Sequence, residues 1–286
     1  MPRIFLPFTS IHDNRISITG DNARYLVSVL RCKKGDELIV FNGKDNCLRT
    51  NILKADRKEV ISNVLEKFTC HTESPVNITL MQGLLKGQKM DMVIQKTTEL
   101  GVKEIMPVIS ERSQAKETRK VSRWRKIAEE ASRQCGRTII PLIHEPVHFE
   151  DCLSSLVTRH PLPSLNGLIF YEEGVLKISE AISSLVTRHS SLNPPLSPST
   201  SHDFTKGINP SPPPFNKGGV GGIIETGGKG RFFVLIGPEG GFTKKEVTFA
   251  EGKGFIVTSL GKRILRAETA AISAIALVQF LLGDLG

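Results

Sequence analysis

The sequence predicts an α/β protein in two parts: a small β-barrel over 1–72, then a mostly parallel sheet with helices on both faces over 73–286. Three observations predict it. Short β-type runs cut by Gly and Asp/Asn turns fill residues 1–70. From about residue 76, strand-like and helix-like segments alternate, as in a parallel sheet built from crossover units. Two apolar strand ends then stop on glycines, and ligands of open α/β sheets bind beyond the carboxyl ends of strands.

In the first part, RISITG, DELIVFNG and VISNVLEKF are strand candidates. ARYLVSVLR (23–31) reads as one short helix at the barrel rim, with Tyr25, Leu26, Val29 and Leu30 on one side. In the second part, NITLMQGLL is strand-like. QKMDMVIQKTTELG (88–101) is an amphipathic helix with Met90, Val93, Ile94, Thr97 and Leu100 inward and Gly101 as its cap. VKEIMPVI is a strand. SRWRKIAEEASRQC reads as a helix capped by its first serine, burying Trp124, Ile127, Ala128, Ala131 and Cys135 and turning Arg133 to water. LIFYEE, FFVLIG and FIVTSLG are further strands, with helices at 243–252 and 267–283. Thr243 and Glu246 have capping-box spacing.

One region breaks the order. From Ser190 to Gly228 there are seven Pro, seven Gly and six Ser in 39 residues, a composition that cannot bury enough apolar surface to offset its ordering entropy. We expect a disordered insert at about 190–228. SSLVTRH occurs at 154–160 and again at 183–189, a local duplication and not a solenoid period.

The formal charge is +9 and the pI about 9.4, which suits an anionic partner. Segment 111–137 alone holds nine Lys/Arg against four Glu. Five cysteines without C-x-x-C spacing, and no signal-peptide layout, point to reduced thiols in a cytoplasmic protein. The C-terminal apolar run is interrupted by Ser273 and Gln279, and a buried helix, not a membrane span, is expected. HEPVH (144–148) matches a zinc motif only in letters, because Pro146 forbids the helix that would align its histidines; no metal is expected. The glycine fingerprint of nicotinamide-binding sheets is absent.

GPEGG (237–241) and SLGKRILRAETAA (259–271) remain. Three glycines in five residues at a strand end suit a backbone that needs unusual dihedrals or touches a ligand closely. In a parallel sheet both loops open on one edge, with apolar walls from Leu260, Ile264 and Leu265 and charges from Glu239, Arg266 and Glu268.

GPEGGFTKKE followed by SLGKRILRAETAA resembles the signature of the small-subunit ribosomal RNA methyltransferases that modify uracil N3, a family of the trefoil-knotted SPOUT superfamily. The likeness extends across LMQGLLKGQKMDMVIQKTTELGVKEIMPVISERS, AEEASRQCGR and the N-terminal MPRIF…LVSVLRCKKGDELIVFNG, nearly the whole chain except about 178–228. It implies a knotted sheet preceded by a PUA-like RNA-binding domain, a homodimer, and S-adenosylmethionine held by Leu235, Gly237, Pro238, Glu239, Gly240, Gly241, Leu260, Gly261, Ile264, Leu265 and Arg266. It implies 16S rRNA of the small subunit as substrate. Arg266 is expected to act as a catalytic cation, with Glu239 or Glu268 as base. Arg3, Arg31, Lys33, Lys86, Lys89, Arg112, Arg123, Arg133 and Arg137 are expected to hold RNA phosphates. A non-catalytic RNA-binding protein is the alternative; it accounts for the charge but not for the two glycine loops.

Overall fold

A computed structural model describes residues 1–6, 11–12, 14–42, 46–70, 72–115, 118–159, 165–190 and 231–286. The expected insert lies outside the described residues except for Ser190. No helix among the described residues is long and apolar enough to cross a membrane.

The N-terminal part contains β1 (Arg3–Phe5), β2 (Ile11–His12), β3 (Arg15–Thr19), helix α1 (Gly20–Arg24), β4 (Glu37–Phe41), β5 (Asn46–Ala55) and β6 (Glu59–Thr69). The strands form one sheet in the order β1-β4-β5-β6-β3-β2, antiparallel except for β1 with β4. Alternation decides the faces: in β3, Ile16 and Ile18 are buried while Arg15, Ser17 and Thr19 are exposed. They join Ile4, Leu26, Leu38, Val40, Ile52 and Val60 in one core.

The expected helix 23–31 is corrected. α1 starts earlier and widens at Tyr25–Val29 into a π turn, closed by the Leu30 N–H donating to the Tyr25 carbonyl at 3.0 Å. The wider turn rotates Val29 and Leu30 to the surface and keeps Leu26 inside.

The second part contains β7 (Asn77–Gly83), α2 (Lys89–Glu99), β8 (Glu104–Ile109), α3 (Val121–Cys135), β9 (Leu142–Ile143), β10 (Val147–His148), α4 (Phe149–Arg159), β11 (Asn166–Phe170), β12 (Leu176–Lys177), α5 (Ile178–Ser190), β13 (Arg231–Ile236), α6 (Lys244–Gly252), β14 (Ile256–Ser259) and α7 (Ala267–Leu282). All pairings are parallel, in the order β10-β8-β7-β13-β11-β14-β12 with β9 beside β8. α2, α3, α5 and α7 pack on one face around Trp124, Met90, Leu185 and Ile275. α4 and α6 pack on the other around Phe149, Leu153 and Val247.

Among the described residues, 154–159 of the first SSLVTRH copy lie on α4 and the second copy lies on α5, and each buries its leucine, Leu156 and Leu185. HEPVH is extended, running from the end of β9 into β10, as its proline requires. α3 begins at Val121, after Lys120 and not after a capping serine; Ser132 is buried where Cys135 was expected.

Two polar clusters close this part. Glu73, just after the N-terminal sheet, accepts hydrogen bonds from Arg137 Nη2 at 2.8 Å, Lys103 Nζ at 2.7 Å and the N–H groups of Thr138 and Ile139. Arg137 Nη1 also donates to the Thr98 and Val102 carbonyls, both at 2.8 Å. Gln279, near the end of α7, accepts from Ser74 Oγ at 2.7 Å and donates to the Leu100 carbonyl at 2.7 Å.

Burial opposes the charge of Glu73, but Arg137, Lys103 and the Ile139 N–H outweigh it and hold the carboxyl below its ordinary 4.5. A depressed folded-state pKa stabilises above the ordinary value and is lost as pH falls below it. Arg137→Ala should therefore cost about 3–5 kcal/mol at neutral pH, the scale for stranding one partner of a buried pair. In urea titrations the gap to wild type should narrow once the pH drops below about 4.5. A gap independent of pH would remove Glu73 from this role.

Candidate active site

β13, β11 and β14 are neighbours, so their carboxyl ends present three loops side by side. The loops, with Lys89 of α2 and the first turn of α7, enclose a cleft of about 600 Å³.

The GPEGG loop is fixed by backbone packing. A Cβ on Gly83, the last residue of β7, would lie 2.4 Å from Pro238 N, so the loop rests directly on the strand end. Gln82 Nε2 donates to the Gly237 carbonyl at 3.1 Å. The Gly241 N–H closes a turn on the Pro238 carbonyl at 2.9 Å, and Gly241 has φ +67°, the left-handed region that favours glycine. Thr243 and Glu246 form the expected capping box at the start of α6. Gly240 owes its lack of a side chain to a different neighbour than expected: a Cβ there would lie 3.0 Å from Arg112 Cβ.

Gly237, Pro238, Glu239, Gly240, Gly241, Leu260, Gly261, Ile264, Leu265, Arg266 and Glu268 all line the cleft. Leu235 does not. Strand alternation turns it to the other face, where it is fully buried with Met81, Ile169 and Phe242, and Ile236 lines the cleft instead. Sequence reasoning missed the loop after β11, which brings Phe170, Tyr171 and Glu172 to the cleft. The available signal was Gly174, whose Cβ would lie 2.7 Å from the Thr258 carbonyl. Lys262 and Arg263, within the quoted motif, were also unassigned.

Two carboxylates face the cleft with spare acceptor capacity. Glu239 Oε1 accepts from the Lys86 N–H at 3.1 Å and Lys89 Nζ at 3.0 Å, while its Oε2 is buried with no partner. Burial opposes the charge of Glu239, but its own N–H, the Lys86 N–H and Lys89 outweigh it and lower its pKa. Glu268, in the first turn of α7, is buried, and its Oε2 also has no partner. Arg266 precedes that turn and is exposed, without an ion pair among the described residues.

The expected phosphate-binding cations divide. Arg31, Lys33, Lys86 and Arg123 are exposed, although Arg123 pairs with Asp91 at 2.8 Å. Lys89 is tied to Glu239. Arg112 Nη1 donates to the Gly240 carbonyl at 3.1 Å and so buttresses the GPEGG loop. Arg133 lies over the Tyr25 ring at 4.9 Å, half-buried and not turned to water. Arg3 packs toward Phe41 and Cys70. Arg137 is corrected outright: it is buried against Glu73 and cannot reach a phosphate.

Residues 72–192 and 216–279 match an RNA methyltransferase domain family, and 18–65 match an RNA methyltransferase PUA domain. The ribosomal RNA small subunit methyltransferase E of Buchnera aphidicola (Schizaphis graminum) is 30% identical over 100% of this chain and 98% of its own. This chain belongs to that family. The Bacillus subtilis methyltransferase E is 26% identical over 92% of this chain and 89% of its own. The crystal structure of the Neisseria gonorrhoeae methyltransferase E bound to S-adenosyl methionine superposes with a TM-score of 0.74, at 28% identity and full coverage of both chains. Membership makes the chain an S-adenosylmethionine-dependent rRNA methyltransferase. Residues 193–215 fall outside the matched methyltransferase domain, within the stretch expected to be an insert.

The cleft has the features such a cofactor needs: a glycine-rich loop packed backbone to backbone on the end of β7, and buried carboxylate oxygens lacking donors. Gly83→Ala should push Pro238 away and weaken S-adenosylmethionine binding at least tenfold by calorimetry, while the far-ultraviolet circular dichroism is kept. Unchanged affinity would mean that the GPEGG loop does not hold the cofactor.

Proposed function

We propose that this protein methylates N3 of a uridine in 16S rRNA of the small ribosomal subunit, in the cytoplasm and as a homodimer with a knotted methyltransferase domain. The observation that carries the reading is the union of three strand-end loops around one cleft, with Glu239, Arg266 and Glu268 at its walls. The cofactor supplies an electrophilic methyl group. The chain must hold it, present N3 and accept the N3 proton.

Residues of the 237–241 and 260–266 loops enclose the cofactor, with Glu239 Oε2 as an acceptor for its donor groups. The lowered pKa of Glu239 makes it a weak base and suits it to that role. Glu268 is then the proton acceptor, buried in the first turn of α7 with its Oε2 free of any donor among the described residues. Arg266, exposed at the same helix start, stabilises negative charge on the uracil carbonyls. N3 lies on the Watson–Crick edge, so the target base must be unpaired or turned out of its stack.

Dimerisation is supported by α7, whose outer face leaves Leu277 and Phe280 exposed, Phe280 at 63%. The knotted reading is supported by β13, which enters between β7 and β11, and by α7, which returns to Ser74.

Arg266→Ala should lower methyl transfer to small subunits about a hundredfold, the scale for one preorganised charge stabiliser, with cofactor affinity within about tenfold. Tritiated methyl transfer and calorimetry separate the two. Lost cofactor binding with normal turnover at saturation would make Arg266 a cofactor ligand. In sedimentation, Phe280→Glu should give monomers; a wild-type monomer would refute the dimer.

A further inference from the structure

We infer that the loop between β14 and α7 is an RNA grip as well as a cofactor wall: Lys262 and Arg263 hold phosphates beside the target, and Ile264 inserts between bases. This rests on the rRNA methyltransferase reading and deepens it.

The first support is the distribution of charge. Around the cleft, Lys89 is neutralised by Glu239, Arg123 pairs with Asp91 and Arg112 is spent on the Gly240 and Phe242 carbonyls. Lys262, Arg263 and Arg266 are different. All three are exposed, and none has an ion pair among the described residues. Three uncompensated cations in five residues repel one another, and a polyanion removes that repulsion while releasing its own counterions. The neighbouring loop after β11 carries the exposed carboxylate of Glu172, which would repel a phosphate. The RNA backbone is thereby directed to the Lys262–Arg263 side.

The second support is Ile264. It is 83% exposed at the cleft mouth, between those cations. A β-branched side chain loses little rotamer freedom when it becomes fixed. Apolar side chains of this size unstack bases when inserted between them, and the chemistry at N3 needs a base out of its stack. Gly261 sets the loop's path: its φ is +101°, and a Cβ there would meet nothing within 4 Å. The glycine is required by the dihedral and not by crowding, so the loop stands clear of the protein on that side. A second copy of the chain is a poorer occupant than RNA for the loop tip, because it would leave the three cations unneutralised.

The experiment uses the full chain, 16S rRNA and small subunits. Filter binding of 16S rRNA between 50 and 300 mM salt (roughly the range in which phosphate contacts are read) is compared for wild type, Lys262→Ala/Arg263→Ala and Ile264→Ala. The double variant should reduce the log–log salt slope by about 1.4–1.8, two contacts at 0.7–0.9 each. Ile264→Ala should leave the slope unchanged but lower kcat/KM for methyl transfer about tenfold, because the base must then leave its stack without the apolar wedge. Ile264→Leu should restore most of the loss. S-adenosylmethionine affinity should stay within threefold in the double variant, and Ile264→Ala is assayed at saturating S-adenosylmethionine. Unchanged slope and turnover would overturn the inference, as would loss of cofactor binding by the double variant, which would place Lys262 and Arg263 on the cofactor. Conversion of dimer to monomer by Ile264→Ala would assign the loop to subunit contact and also overturn it. If wild type itself neither binds the cofactor nor methylates rRNA, the enzymatic reading fails first, and this inference falls with it.

Discussion

The methyltransferase domain is organised around one buried carboxylate. Glu73 sits just beyond the N-terminal sheet and gathers donors from Arg137, Lys103, Thr138 and Ile139. Through Arg137 the same cluster reaches the Thr98 and Val102 carbonyls at the end of α2. The linker, α2, the entry to β8 and the segment after α3 are therefore tied at one point. α2 carries Lys89, and Lys89 holds Glu239 in the cleft. A buried ion cluster contributes little net stability against an apolar replacement, but it tolerates very few geometries. Here that geometric demand is transmitted to the wall of the site.

The site itself depends on the absence of side chains more than on their presence. Gly83 lets Pro238 rest on the end of β7, Gly240 makes room for Arg112, and Gly241 supplies a left-handed turn. Each has a different reason for being glycine, and only the last concerns its dihedral. Around this backbone cradle, the two carboxylates differ in environment. Glu239 is held charged by its neighbours, while Glu268 is buried at a helix start with an oxygen unmatched. In the proposed reaction the first carboxylate binds the cofactor and the second accepts the proton.

Much of this was legible in the sequence, for physical reasons that also mark where it stopped being so. Periodicity located α2 with its buried face, because Met90, Val93, Ile94 and Thr97 recur at helical spacing. The capping box of α6 was readable because it is local. The motif loops announced themselves through glycine clusters at strand ends. Leu235 was misplaced because a quoted motif does not say which face of the strand a residue takes. Arg137 was misread because charge alone cannot reveal a partner 64 positions away at Glu73. The π turn at Tyr25–Val29 depends on one shifted hydrogen bond and leaves no compositional mark. The β11 loop was missed because its glycine is single and its neighbours are ordinary.

The bond between Gln279 and Ser74 spans 205 positions. Its partners lie before β7 and in α7, at opposite ends of the methyltransferase domain. The middle of the sheet has the same property, since β13 completes the pairing of β7 and β11, both translated before it. The domain therefore cannot close until its last elements are made: β7 lacks one neighbour until β13 is free, and α2 lacks one of the helices packed on it until α7 is free. A nascent chain of this design waits with an open sheet edge, exposed to pairing with other chains. The N-terminal sheet has no such dependence, because its strands all lie within the first 69 residues. It can fold while the remainder is still being made, leaving the chain with one finished end before the catalytic domain exists.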